Sequence, residues 1–250
     1  MTDWKHAAMC AEVAYAVYAD PEHCYEIIDN HVQTKKSFKF FDNNNAQACA
    51  FSYDKDSIVI CFRGTQPTQL SDVIADLKTW QVDSETVGEV HAGFRGELDK
   101  VWEMVEAYTL MKSNENKHIY VTGHSLGAAM ATIAASRLNA KGRAVTLYTF
   151  GSPRVGDHKW AEQFKDIDTY RFVNNNDMVT SVPPFGFFTH VGDLKYINYY
   201  GNIRDVTWWQ RFKDQMRGRW RALQKFQLFD GIFDHSMGLY KDKVKKHHQE

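Results

Sequence analysis

The apolar positions change period as the chain proceeds, and each change predicts an element. Between residues 4 and 19, Ala7, Ala11, Ala14, Tyr15 and Tyr18 share one helical face, and Asp20-Pro21 is expected to end that packing helix. Residues 38–41 and 47–53 read as short strands. After the turn Asp54-Lys55-Asp56, the run Ser57-Ile58-Val59-Ile60-Cys61-Phe62 is unbroken and β-branched, the composition of a strand covered on both faces. A short helix around 70–77 and a strand near 85–90 are expected next. Phe94, Leu98, Val101, Trp102, Val105 and Tyr108 then return to helical spacing. Strands at 118–122, 144–150 and 169–173 each end in glycine- or asparagine-rich turns, with helical patterns between them. This alternation predicts an α/β protein with a mainly parallel central sheet flanked by helices. No repeat, low-complexity tract or linker interrupts it, so residues 1–250 read as a single domain. In such sheets chemistry collects at the carboxyl ends of the strands.

The candidate chemistry lies at those ends. Gly123-His124-Ser125-Leu126-Gly127 stands between a predicted strand and an alanine-rich predicted helix beginning near Ala128. A sharp strand-to-helix turn needs small flanking residues, and it holds the serine hydroxyl out of the sheet. The helix start adds free N–H groups and a positive dipole suited to an oxyanion. A serine hydroxyl becomes a nucleophile only when an imidazole takes its proton, and that imidazole needs a carboxylate to orient it. Asp177 follows the strand Tyr170-Arg171-Phe172-Val173 within Asn174-Asn175-Asn176-Asp177, while Asp157, Asp166 and Asp168 are rivals by order. A chain order of Ser, Asp, His leaves His190, His235, His247 and His248 downstream. The last two belong to the charged tail Lys245-Lys246-His247-His248-Gln249-Glu250 and read as solvated. His91 precedes Ser125, is out of order, and reads as structural.

With these residues in place, the chain resembles the class 3 lipase family, the fungal-type triacylglycerol lipases of α/β-hydrolase fold. The likeness runs from about residue 57 to 240. It rests on Ile60-Cys61-Phe62-Arg63-Gly64-Thr65, Ile74-Ala75-Asp76-Leu77, Val90-His91-Ala92-Gly93-Phe94, the serine turn, Phe150-Gly151-Ser152-Pro153-Arg154-Val155-Gly156, Asn176-Asp177 followed by Val182-Pro183-Pro184, His190-Val191-Gly192 and Asp234-His235-Ser236-Met237. The resemblance implies Ser125 as nucleophile, Asp177 as orienting acid and His235 as base, with His190 structural. It implies an oxyanion hole from the backbone N–H groups of Leu126 and Thr65. It also implies a short lid over residues 66–80. The expected activity is that of a serine carboxylic ester hydrolase, a lipase acting on acylglycerols through an acyl-enzyme, with no metal or organic cofactor. A phospholipase or acyltransferase would use the same three residues, and a non-catalytic lipid-binding relative is a third reading.

Composition narrows the partners. At 44% hydrophobic, the chain can bury a sizeable core without disulfide staples, and a formal charge of −1 argues against nucleic acid as the main partner. Cys10, Cys24, Cys49 and Cys61 lack C-x-x-C spacing and read as reduced core residues. The start carries no basic-then-apolar signal pattern, so a cytoplasmic protein, or one exported without a cleavable signal, is expected. One region departs from neutrality: residues 204–225 carry seven Lys or Arg against two Asp. There Trp208, Phe212, Met216, Trp220, Leu223 and Phe226 recur near the helical period. This predicts a helical insertion over about 204–230, either a membrane-surface anchor or a packing helix with a solvated basic face.

Overall fold

The structure is a computed structural model, and it describes residues 2–32, 37–65, 80–204 and 234–249. The predicted helix at 70–77, the lid and the helical insertion at 204–230 lie outside the described residues, apart from Trp80 at the lid's end and Arg204 at the insertion's start. One eight-stranded sheet organises the rest. Its strands are β1 (Lys39–Asn43), β2 (Ala46–Ser52), β3 (Ser57–Phe62), β6 (His118–His124), β7 (Val145–Phe150), β8 (Asp168–Asn174), β9 (Asp193–Ile197) and β10 (Ile203–Arg204), in that spatial order. Strands β3, β6, β7, β8 and β9 are parallel; β1, β2 and β10 are antiparallel to their neighbours. Every residue of β3 and β7 is buried, as their continuous apolar runs require when helices cover both faces.

The covering layers follow from the helical stripes. Helices α1 (Trp4–Ala16), α2 (Pro21–Val32) and α6 (Met237–Gln249) pack on one face, with Ala7, Ala11, Ala14, Phe51, Phe150, Phe172 and Tyr240 in the core between. Helices α3 (Ala92–Leu110) and α4 (Leu126–Ala140), with the single turn α5 (His158–Ala161), cover the other through Phe94, Leu98, Ile133 and Leu138. The four cysteines are buried and free, as expected.

Several expectations are corrected. Helix α1 stops at Ala16, and Tyr15 points away from the packing stripe, 41% exposed beneath the Lys241 ammonium. Asp20-Pro21 lies beyond that end and starts α2 instead. The Asp20 carboxylate accepts from the N–H groups of Glu22 and His23, and proline suits the first helical position. The single strand expected near 85–90 is a hairpin of β4 (Gln81–Asp83) and β5 (Glu89–His91), turned at Gly88 with φ +74°. The charged tail is the end of α6, where His247 meets Trp4 edge-on with ring centroids 4.2 Å apart.

Candidate active site

The β6–α4 junction fixes the conformation of Ser125. Ser125 has φ 59° and ψ −128°, a positive φ that costs a non-glycine residue on the order of 1–3 kcal/mol. The surroundings hold it there. Its N–H donates to Phe150 O at 3.1 Å and its carbonyl accepts from Ala128 and Ala129. Both flanking glycines are sterically required: a Cβ at Gly123 would lie 2.3 Å from Gly127 O, and one at Gly127 would lie 2.2 Å from Phe62 O. Only a bare backbone lets the first turn of α4 press onto β6 and the end of β3. Because α4 begins at Leu126, the Leu126 N–H belongs to the first turn, where donors have no intrahelical acceptor. Thr65 lies beyond the end of β3, next to Gly64, whose Cβ position would be 3.2 Å from Ser125 Cβ.

Asp177 and His235 are brought together from 58 residues apart. Imidazole Nδ1 lies 2.9 and 2.8 Å from the two carboxylate oxygens, and both residues are buried. An ionised carboxylate only accepts, so the neutral imidazole in this contact carries its hydrogen on Nδ1 and its lone pair on Nε2. That Nε2 is buried with no hydrogen-bond partner among the described residues. Asp177 is held in turn by the Val179 N–H at 2.9 Å on Oδ1 and by the Tyr240 hydroxyl, which donates to Oδ2 at 2.6 Å. Tyr240 accepts from Asn174 N at 2.9 Å. Burial, and then the Asp177 charge, push the Tyr240 phenol well above its usual range, so it remains a donor. Gly151, with φ +57°, closes one side: a Cβ there would meet Asp177 Oδ2 at 2.8 Å and the His235 ring at 2.9 Å.

A second imidazole braces the first. His124 and His235 have ring centroids 4.4 Å apart, and His124 Nε2 lies 2.7 Å from the His235 carbonyl. The carbonyl can only accept, so Nε2 bears the hydrogen and Nδ1 accepts from the Tyr18 hydroxyl at 2.8 Å. Burial, then the neighbouring His235 ring, drive His124 well below the usual histidine range, against its bond to the carbonyl. The loop before His235 is tied to the loop before Asp177. Asn174 Nδ2 donates to Asp234 O at 2.7 Å, and Asn175 Nδ2 and Asn176 N donate to the Asp234 carboxylate at 2.9 and 3.1 Å.

The rivals serve elsewhere. His190 Nε2 bonds Thr180 O at 2.9 Å. His91 caps α3 by accepting from Gly93 N, with its ring stacked on Phe94. Asp157 caps α5 through Trp160 N, while Asp166 and Asp168 are exposed. Sequence reasoning missed Tyr240, Tyr18 and Asp234. Their partners are supplied by remote elements, and no local spacing marks them.

A sheet of this order, a strained serine at a strand-to-helix turn and a buried Asp–His pair at the strand ends define an α/β-hydrolase. The model of the class 3 lipase family matches residues 59–187, just over half of the sequence, and the chain belongs to that family. It is 32% identical over 200 residues to the lipase of Rhizomucor miehei, covering 75% of this chain and 54% of that protein. It is 29% identical over 178 residues to the secreted mono- and diacylglycerol lipase A of Penicillium cyclopium, covering 64% and 55%. The chain thus spans about half the length of these two relatives, and 38% of lipase ZK262.3 of Caenorhabditis elegans, to which it is 31% identical over 134 residues, half of this chain. Among solved structures, the Rhizomucor miehei triacylglyceride lipase superimposes with a TM-score of 0.67 at 22% identity, covering 98% of each chain. Lipase II from Rhizopus niveus gives 0.66 at 24%, covering 78% of this chain and 80% of its own. At these identities the superpositions speak to the fold.

Proposed function

We propose that this chain is a serine carboxylic ester hydrolase that cleaves acylglycerols through an acyl-enzyme. The observation that carries the reading is the Asp177–His235 pair, whose imidazole keeps Nδ1–H on the carboxylate and leaves Nε2 unpartnered. In the proposed reaction Ser125 Oγ attacks the ester carbonyl while Nε2 takes its proton. The oxyanion accepts from the N–H groups of Leu126 and Thr65, donors typically worth about 3 kcal/mol each in the transition state. The imidazolium, balanced by Asp177, then protonates the departing alcohol. Water repeats the sequence: it attacks the acyl group, gives its proton to Nε2, and the carboxylic acid leaves as Ser125 recovers the proton.

The acylglycerol assignment is supported by family membership and by relatives named as a lipase and as a mono- and diacylglycerol lipase. A panel of p-nitrophenyl esters of increasing chain length, diacylglycerol and phosphatidylcholine, run beside Ser125→Ala, tests it. Wild type should release fatty acid from the esters and the acylglycerol in preference to the phospholipid. Ser125→Ala should lose on the order of 10⁴-fold or more in kcat. Equal turnover by both proteins would overturn the nucleophile assignment. Preferred release from phosphatidylcholine would overturn the substrate class.

A further inference from the structure

We propose that the turn at Pro183–Phe188, together with Trp80, is a wedge that inserts into a lipid surface and sets the active-site edge against it. The proposal rests on the lipid-ester reading above for the purpose of docking, but its geometry stands by itself. Phe185 and Phe187 flank Gly186 at the tip and are 73% and 68% exposed, and Trp80 is 70% exposed. Gln81 Nε2 donates to Phe187 O at 2.8 Å, which brings the Trp80 segment to the same tip. Soluble proteins seldom present large aromatic rings this openly on adjoining segments unless something apolar receives them.

The turn is built to present these rings rather than to collapse over them. Phe188 is fully buried against the His91 ring, 5.5 Å between centroids, and anchors the returning arm. At the base, Arg154 N donates to Val182 O at 2.8 Å, its guanidinium donates to the carbonyls of Ser181 and Pro183, and Thr189 N donates to Gly156 O at 2.8 Å. Both arms are therefore pinned to the segment that follows β7, so the tip pays little ordering entropy on contact.

The chemistry of the segment selects the occupant. Residues 178–189 contain no charged side chain, and exposed Met178 adjoins Asp177 itself. A tip of two phenylalanines with no charged side chain of its own, Phe185 edge-on to the His158 ring at 6.1 Å and Trp80 on the adjoining segment, gains by leaving water for the acyl–headgroup boundary. The receiving surface is thus a lipid one recognised by apolar insertion, with no requirement for anionic headgroups. Because the segment leads directly out of Asp177, insertion places the candidate site at the interface.

Sedimentation with phosphatidylcholine vesicles tests this, comparing wild type, Ser125→Ala and the double variant Phe185→Ser/Phe187→Ser. Both substitutions fall on exposed side chains and leave Phe188 in place. Wild type and Ser125→Ala should partition equally, in a manner insensitive to salt. The double variant should lose about a hundredfold, roughly tenfold per ring, while hydrolysing p-nitrophenyl acetate as wild type does. Unchanged partitioning of the double variant would overturn the proposal. So would binding that needs anionic lipid and vanishes at high salt, which would point instead to the basic stretch at 204–225. Vesicle binding lost with the two rings, in a protein that cleaves no ester, would sustain the wedge while removing the hydrolase reading.

Discussion

The hydroxyl of Tyr240 has one acceptor and one donor: it gives its proton to Asp177 Oδ2 at 2.6 Å and takes one from Asn174 N–H. Tyr240→Phe keeps the ring and its packing but removes one of the donors that spread the carboxylate charge. Without that donor the carboxylate is less firmly set against Nδ1–H, so kcat should fall about tenfold, the scale of one hydrogen bond to a charged group. Unchanged kcat, measured on a soluble ester, would reduce Tyr240 to a packing residue. The turn around Ser125 and the strand end before Asp177 were legible from local pattern, whereas chain order left His190 and His235 both open and the family resemblance favoured His235. Tyr240 was not, because nothing in its own neighbourhood distinguishes a tyrosine that reaches a carboxylate 63 residues away from one that only fills space.

Among elements, those with long periodic patterns were read correctly. The strands β3, β6, β7 and β8 and helices α1, α3 and α4 all lie where the pattern put them, although boundaries move by a few residues. Strand β9, the short edge strand β10 and helix α6 were missed, since α6 buries only Met237, Tyr240 and Val244 among thirteen residues, five of them Lys or Asp. What holds α6 is tertiary. Glu12 on α1 is buried and meets Lys241 at 4.0 Å, Lys245 at 3.6 Å and His31 at 3.6 Å. Removing both lysines with Lys241→Ala/Lys245→Ala leaves Glu12 with fewer countercharges. The cost should be about 1–2 kcal/mol, below that of a fully buried pair because both lysines reach water. Since α6 carries Tyr240, activity should disappear at a lower urea concentration than the global unfolding midpoint in this variant. Coincident loss at the wild-type midpoint would mean that the Glu12 contacts do not hold the helix.

For the molecule as a whole, the ring contacts Tyr18–His124–His235 run from the turn after α1 to the strand ends and make stability depend on pH in a definite direction. An unfolded histidine titrates near pH 6.5. In the fold, burial and the neighbouring His235 ring hold His124 neutral to well below that. Between the folded and unfolded titrations the unfolded chain binds a proton that the native state refuses. Stability is therefore full above about pH 6.5 and falls as the pH drops below it, with a slope approaching 1.4 kcal/mol per pH unit from this one group. His124→Gln retains a donor for the His235 carbonyl but has nothing to titrate. Urea unfolding of both proteins between pH 7 and pH 5 should give a wild-type free energy that declines more steeply, by close to one proton. The other histidines cancel in the difference. Parallel declines would show that His124 takes its proton in the folded protein, and a charged ring there would oppose the imidazolium that the proposed mechanism asks of His235.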